Sequence, residues 1–118
     1  MIDIFIRLAK LHGATVSVVK GGGVEACAAN TKTRVIFLGS RLKNADVAAI
    51  VGLHELGHIA TLNNKGIYHL LGPRTPQAVY AVELMAWAWA EQHVPLEHKA
   101  LFEEIKTSAI ETYFYEVK

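Results

Sequence analysis

The chain has 118 residues, of which 52% are hydrophobic and 19% charged, and its formal net charge is +1. This length and composition exclude a disordered chain and predict a single domain over residues 1–118. The near-neutral charge gives no reason to expect a nucleic acid or a membrane as partner. Cys27 is the only cysteine. An internal disulfide is therefore excluded, and we expect a thiol packed as a small apolar side chain.

The sequence shows no targeting or membrane segment. Its first residues include an early acid, Asp3, and no long apolar stretch before a small-residue cleavage site. The longest apolar run, at 78–90, is shorter than the roughly 18 residues that a membrane span requires, and it contains Glu83. We therefore expect a cytoplasmic protein.

The first part of the chain predicts a helix followed by a small sheet. Apolar residues recur near a helical period over residues 2–12, and Gly13 ends the pattern. Three short runs resemble strands, at 14–20, 24–29 and 33–38. The glycines at 21–23 predict a hairpin turn and residues 30–32 predict the next turn, so we expect a three-stranded antiparallel sheet. No Lys-Ser/Thr pair follows the glycines, as a phosphate-binding loop would require.

The remainder predicts three more helices. We expect them at 45–62, 76–92 and 96–115. Thr75 and Pro76 are typical of a helix start, and Pro95 prevents the third helix from continuing. A loop at 67–74 joins the second and third helices. The order of one helix, a small sheet and then helices is typical of an α+β fold.

The strongest chemical signal is the His-Glu-Leu-Gly-His sequence at 54–58. Residues four apart in a helix lie on one face, so His54 and His58 can bind the same ion. Glu55 lies beside them and can take a proton from a water molecule on that ion, which is why this spacing suits zinc-dependent hydrolysis. The alternative is a pair of core histidines satisfied by local hydrogen bonds.

A catalytic zinc ion needs a third protein ligand and an open fourth position. Glu83 is the first candidate, because its neighbours in sequence are apolar and a carboxylate buried in such a helix requires a partner. His69, in the loop before that helix, is the second candidate. The alternative for Glu83 is a salt bridge to one of three basic residues, Arg34, Arg41 or Lys43.

Two further features bear on the site. Glycine within a helix costs about 1 kcal/mol relative to alanine, so Gly57 predicts that another part of the chain passes close to the second helix. A peptidase also needs a group that stabilises the oxyanion. Tyr68 and His69 lie on the loop between the two ligand helices and are the first candidates, with Tyr80 and His93 as others.

The two ligand helices resemble those of the ImmA/IrrE-type metallopeptidases, which are gluzincin-like proteins. The motif at 54–58 is followed 25 residues later by Glu83-x-x-Ala86-x-x-Trp89-Ala90, similar to the Glu-x-x-Ala-x-x-Phe-Ala segment of that family. The preceding strand at 34–38 also resembles the family's strand before the metal helix. Trp89 replaces the usual phenylalanine, and the family's Leu-Leu-Met-Pro ending is missing.

The resemblance implies a single zincin-like domain with Zn²⁺ held by His54, His58 and Glu83 and with Glu55 as general base. It implies an extended peptide along an edge strand near 34–38, and a protein substrate such as a repressor or regulator. The alternative is a non-catalytic, zinc-stabilised protein-binding module of phage or mobile-element origin. A metal-free structural protein is a third alternative.

Overall fold

The computed structural model describes residues 1–62 and 75–117. Within these residues the elements follow in chain order: α1 (Ile2–Leu11), β1 (Thr15–Val19), a 3₁₀ helix (Val24–Ala26), β2 (Ala28–Asn30), β3 (Val35–Gly39), α2 (Ala45–Leu62), α3 (Pro76–Glu91), a second 3₁₀ helix (Leu96–His98) and α4 (Lys99–Val117). The predicted α+β class is confirmed. Gly13 follows α1 with a φ of +66°, a left-handed conformation that suits glycine after a helix.

The sheet is mixed, and the predicted hairpin between the first two strands is wrong. β3 lies in the centre, parallel to β1 and antiparallel to β2. The glycine-rich turn after β1 docks on the end of β3: the Gly21 N–H donates to Ser40 Oγ at 2.8 Å, and the Arg41 N–H donates to the Gly22 carbonyl at 2.9 Å. The chain therefore crosses the end of β3, forms the first 3₁₀ helix and returns as β2.

The central position of β3 also corrects the expectation of an edge strand at 34–38. Val35 lies opposite Thr15 of β1 on one side and opposite Asn30 of β2 on the other. Both sides of this strand are thus already hydrogen-bonded, so an added peptide has no free edge there. In the described sheet the free edges belong to β1 and β2.

α2 is the central helix of the fold and contacts α1, α3, α4 and the sheet. It is buried along most of its length, which its nearly uniform apolar sequence allows. Its fully buried large side chains are Ile50, Leu53, Leu56 and Ile59. Among the described helices, none combines the length and apolarity needed to cross a lipid bilayer.

At Gly57 the backbone of α3 passes very close to α2. A Cβ atom added to it would lie 2.5 Å from the carbonyl oxygen of Ala86. This confirms the prediction that another segment passes close to the glycine. The absence of a side chain at this position lets α3 pack directly against the histidine-bearing part of α2.

Candidate metal centre

Two helices bring the predicted ligands together. His54 and His58 are one turn apart on α2, and Glu83 extends from α3. The start of α3 is fixed as the sequence predicts, since the Thr75 hydroxyl accepts a hydrogen bond from the Ala78 N–H at 3.1 Å and Pro76 occupies the first helical position. The local start of α3 and its close packing at Gly57 thus place Glu83 opposite the histidines.

The three side chains converge on one point. His58 Nε2 contacts Glu83 Oε2, and His54 Nε2 lies 3.4 Å from Glu83 Oε1. Each residue offers a ligand atom, and these three atoms lie within 4.8 Å of one another. In a tetrahedral zinc site with bonds of about 2.1 Å, ligand atoms are about 3.4 Å apart. The group of His54, His58 and Glu83 can therefore hold a metal ion.

Burying these three side chains is energetically unfavourable unless a cation lies between them. His54 is 7% exposed and Glu83 8%, and His54 Nε2 has no hydrogen-bond partner among the described residues. The 3.4 Å contact between this nitrogen and Glu83 Oε1 is thus an ion pair whose geometry does not make a hydrogen bond. A buried nitrogen without a partner costs roughly 1–3 kcal/mol. A metal ion between the nitrogen and the carboxylate would remove that cost, so the residues present fit a bound cation.

Glu55 lies against the other ring nitrogen of His54. Glu55 Oε1 lies 3.3 Å from His54 Nδ1, and this carboxylate is also buried, with 8% of the residue exposed. When Nδ1–H donates to Glu55, the lone pair of Nε2 points toward Glu83 and is available to a metal. A carboxylate on the second nitrogen is the usual way in which a metal-binding histidine is oriented.

In the absence of a metal, protons bind in its place. Burial alone would lower the pKa of His54, but the adjacent carboxylates of Glu55 and Glu83 raise it to about 9. Burial alone would raise the pKa of Glu83, yet hydrogen bonds and charge from His54 and His58 hold it well below its usual range. The site therefore favours a cation between imidazole and carboxylate.

Trp87 supports the site in a way that the sequence did not reveal. Its indole stacks on the His54 ring, with centroids 4.0 Å apart and planes 9° from parallel, and its other contacts include an edge-on packing with Phe102. The residue is 1% exposed, as expected of a core tryptophan. Its position one turn after Glu83 on α3 was the signal that could have linked it to the metal group.

A cleft of about 540 Å³ opens over the metal group, and we call it the active cleft. Its floor includes His54, Glu55, Glu83 and Trp87, and its walls come from the first 3₁₀ helix and from α4. This volume is within the range of about 300–1,000 Å³ that is common for ligand pockets. The metal group is therefore buried from bulk solvent but adjacent to a space that can take a ligand.

The other candidates from the sequence have different positions. Tyr68 and His69 lie outside the described residues. Tyr80 and His93 are not among the described residues that line the active cleft, and His93 instead packs on Trp89 with ring centroids 4.5 Å apart.

The salt-bridge alternative for Glu83 named three basic residues. One of these, Arg34, donates through Nη1 to the carbonyl of His12, whereas Glu83 pairs with His54 and His58. A second, Arg41, contributes its charge near Glu25. In the described part of the chain, the observed ion-pair partners of Glu83 are thus the two histidines.

Comparisons with protein-family models, with curated proteins and with solved structures found no match for this chain.

Proposed function

We propose that this chain is a zinc-dependent peptidase of the ImmA/IrrE type, which hydrolyses a protein substrate such as a repressor or regulator. The observation that carries the proposal is the convergence of His54, His58 and Glu83 beneath an open cleft, with the carboxylate of Glu55 beside them. The resemblance of the two helix motifs to that family supports the same conclusion.

The donor set favours zinc over other common cations. Two imidazoles and one carboxylate are the protein ligands of catalytic zinc in several peptidases, and they leave a fourth position open. Magnesium and calcium prefer sites made of oxygen atoms alone. When bound, zinc would lower the pKa of a coordinated water molecule toward neutrality and polarise a substrate carbonyl.

Glu55 is the group that would move the proton. Its carboxylate lies on the floor of the active cleft but does not belong to the group of three metal ligands. It would accept a proton from water as the water oxygen bonds to the scissile carbonyl carbon. It would return that proton to the amide nitrogen as the carbon–nitrogen bond breaks. His54, whose ring is stacked on Trp87, would help to keep the metal ion beside this base.

The test is a comparison of wild-type protein with the Glu55→Gln variant. Both are loaded with zinc, their metal content is measured by plasma mass spectrometry, and cleavage is measured on fluorescence-quenched peptide pools. The glutamine carbonyl can still accept from His54 Nδ1, so we expect the variant to retain one zinc ion. We expect its cleavage rate to fall about 10²- to 10⁴-fold, the usual contribution of a general base.

Glu103→Gln is the matched control, because it removes the same charge from an exposed position on α4. It should retain both zinc and activity. Full cleavage by Glu55→Gln would refute the role of the base. A zinc-loaded wild type that binds peptides but cuts none would favour the protein-binding module.

A further inference from the structure

The active cleft has two walls of different origin. One wall carries Val24 and Glu25 of the first 3₁₀ helix, and the other is formed by α4. These two elements are far apart in sequence, and both line the cleft beside His54 and Glu83. A ligand in the cleft can therefore contact both of them.

The wall formed by α4 is a single stripe along that helix. Its lining residues are spaced by one, three or four positions, which places them on one helix face: Glu104, Ile105, Ser108, Ala109 and Thr112. One edge of the stripe is polar and includes Glu104 and Ser108. The other edge is apolar and consists of Ile105 and Ala109. A ligand on this wall would thus contact a carboxylate and an apolar surface side by side.

Apart from His54, the charged side chains that line the active cleft are acidic. Glu25, Glu55 and Glu104 line it together with the metal ligand Glu83, and no lysine or arginine is among its described lining residues. The Gly23 N–H donates to Glu25, and this hydrogen bond lowers the pKa of that carboxyl. Glu104 forms no ion pair with a described residue. Both rims therefore present carboxylates to a ligand.

The floor gives an independent sign that this cleft binds a ligand. Trp87 also lines the cleft, and its indole Nε1, which is not part of the metal group, is buried and has no hydrogen-bond partner among the described residues. A buried polar atom of this kind requires a bound group to satisfy it. The acidic rims thus surround a binding site and are more than a solvated patch of charge.

We propose that the active cleft selects a peptide segment in which a lysine or arginine lies beside Glu104 and an apolar side chain packs on Ile105 and Ala109. This inference rests on the proposed peptidase function and specifies its substrate class. Glu104 is the specificity-determining residue, and Glu25 on the opposite rim adds a weaker preference because the charge of Arg41 is near it. An acidic segment would be repelled by both rims.

Binding can be measured without cleavage in the zinc-loaded Glu55→Gln protein. The probes are three pools of short dye-labelled peptides that share the same alanine, leucine and serine content. They differ only in whether two fixed positions hold lysine, glutamine or glutamate. We expect fluorescence anisotropy to show the lysine pool binding about two- to fivefold more tightly than the glutamine pool, as for an exposed charge pair, and the glutamate pool most weakly.

A second substitution then assigns the preference to one residue. Glu104→Gln should remove most of the difference between the lysine and glutamine pools, whereas Glu103→Gln on the neighbouring face should leave it unchanged. High salt should reduce the preference, because both charges are accessible to solvent. Equal binding of all pools, or equal effects of the two substitutions, would overturn the inference.

The outcomes separate this inference from the proposed function. If the lysine preference depends on Glu104 but zinc-loaded wild-type protein cuts no pool, the peptidase function is wrong and the specificity holds. If the wild type cuts all three pools at the same rate and the variants bind them equally, the specificity is wrong and the peptidase function holds.

Discussion

Gly57 lies at the contact between the two helices that carry the candidate metal ligands, and its replacement by alanine is a direct perturbation of the site. The added Cβ would lie 2.5 Å from the carbonyl oxygen of Ala86 and 3.1 Å from its Cα and carbonyl carbon. All three atoms belong to the backbone, so no side-chain rotation relieves the overlap. The oxygen contact is about 0.9 Å shorter than ordinary van der Waals contact, and α3 must shift to accommodate it.

The shift would reach the metal group directly. Ala86 is one turn after Glu83, so the part of α3 that must move carries the carboxylate ligand. Metal–ligand distances tolerate only about 0.2 Å, and we expect zinc affinity to fall about 10- to 100-fold, as for other changes that misplace a ligand. Overpacking costs about 1–3 kcal/mol. The gain in helix propensity offsets about 1 kcal/mol of this, so the metal-free protein should lose at most about 2 kcal/mol of stability.

Gly52→Ala is the matched control, because it makes the same substitution on another face of α2. Its Cβ would lie 2.6 Å from Phe5 Cζ, the far end of a side chain on α1. We expect it to lower stability in urea denaturation while leaving zinc affinity intact, as measured by competition with a chromophoric chelator. Unchanged affinity in Gly57→Ala, or equal loss in both variants, would refute the role of this contact.

Two further outcomes follow from the environment of His54. Its raised pKa contributes stability to the metal-free protein that is complete below about pH 6.5 and lost as the pH rises toward 9, whereas the lowered pKa of Glu83 contributes above about pH 4.5 and is lost as the pH falls. Metal-free protein should thus be most stable between about pH 4.5 and 6.5. From pH 6.5 to 9 the difference in melting temperature between zinc-loaded protein and chelator-treated protein should increase. A gap that narrows over this window would contradict the assignment. Trp87→Ala should cost about 3–5 kcal/mol in urea denaturation and also weaken zinc binding, since His54 loses its stacked ring. Unaltered affinity would show that the indole only fills the core.

The metal group could be predicted because its determinants are local. The spacing of His54 and His58 fixes their common face as soon as the segment is helical. The apolar neighbours of Glu83 in sequence point to it, because a buried carboxylate without a partner is too costly. Neither inference needed the relative positions of distant elements. The structure supplies the single non-local step, in which α3 lies against Gly57 and brings the carboxylate to the histidines.

The sheet order could not be predicted, because it depends on contacts between segments that are distant in sequence. Three glycines between two short apolar runs favour a hairpin when only the local pattern is considered. Here the turn is instead held by Ser40 and Arg41, which follow β3. These contacts place β3 beside β1, and β2 can pair only with the other side.

The wall formed by α4 could not be predicted for a related reason. Helical periodicity predicts which face of a helix is apolar, and Glu104 lies outside that face. On this basis it is a solvated charge, which agrees with its exposure. Its place beside the metal group depends on how α4 crosses α2 and α3. An exposed residue can therefore line the active cleft although its local sequence gives no sign of it.

The position of the metal group within the fold bears on whether it is structural or catalytic. A structural zinc site is closed by four protein ligands and needs no access for a further molecule. Here three ligands converge among the described residues, and they adjoin a cleft that also contains the buried carboxylate of Glu55. Glu55 can orient His54 in either kind of site, but only a site open to a ligand also lets it take a proton from water. The open cleft and the carboxylate of Glu55 on its floor therefore support the proposed hydrolysis over a purely structural metal.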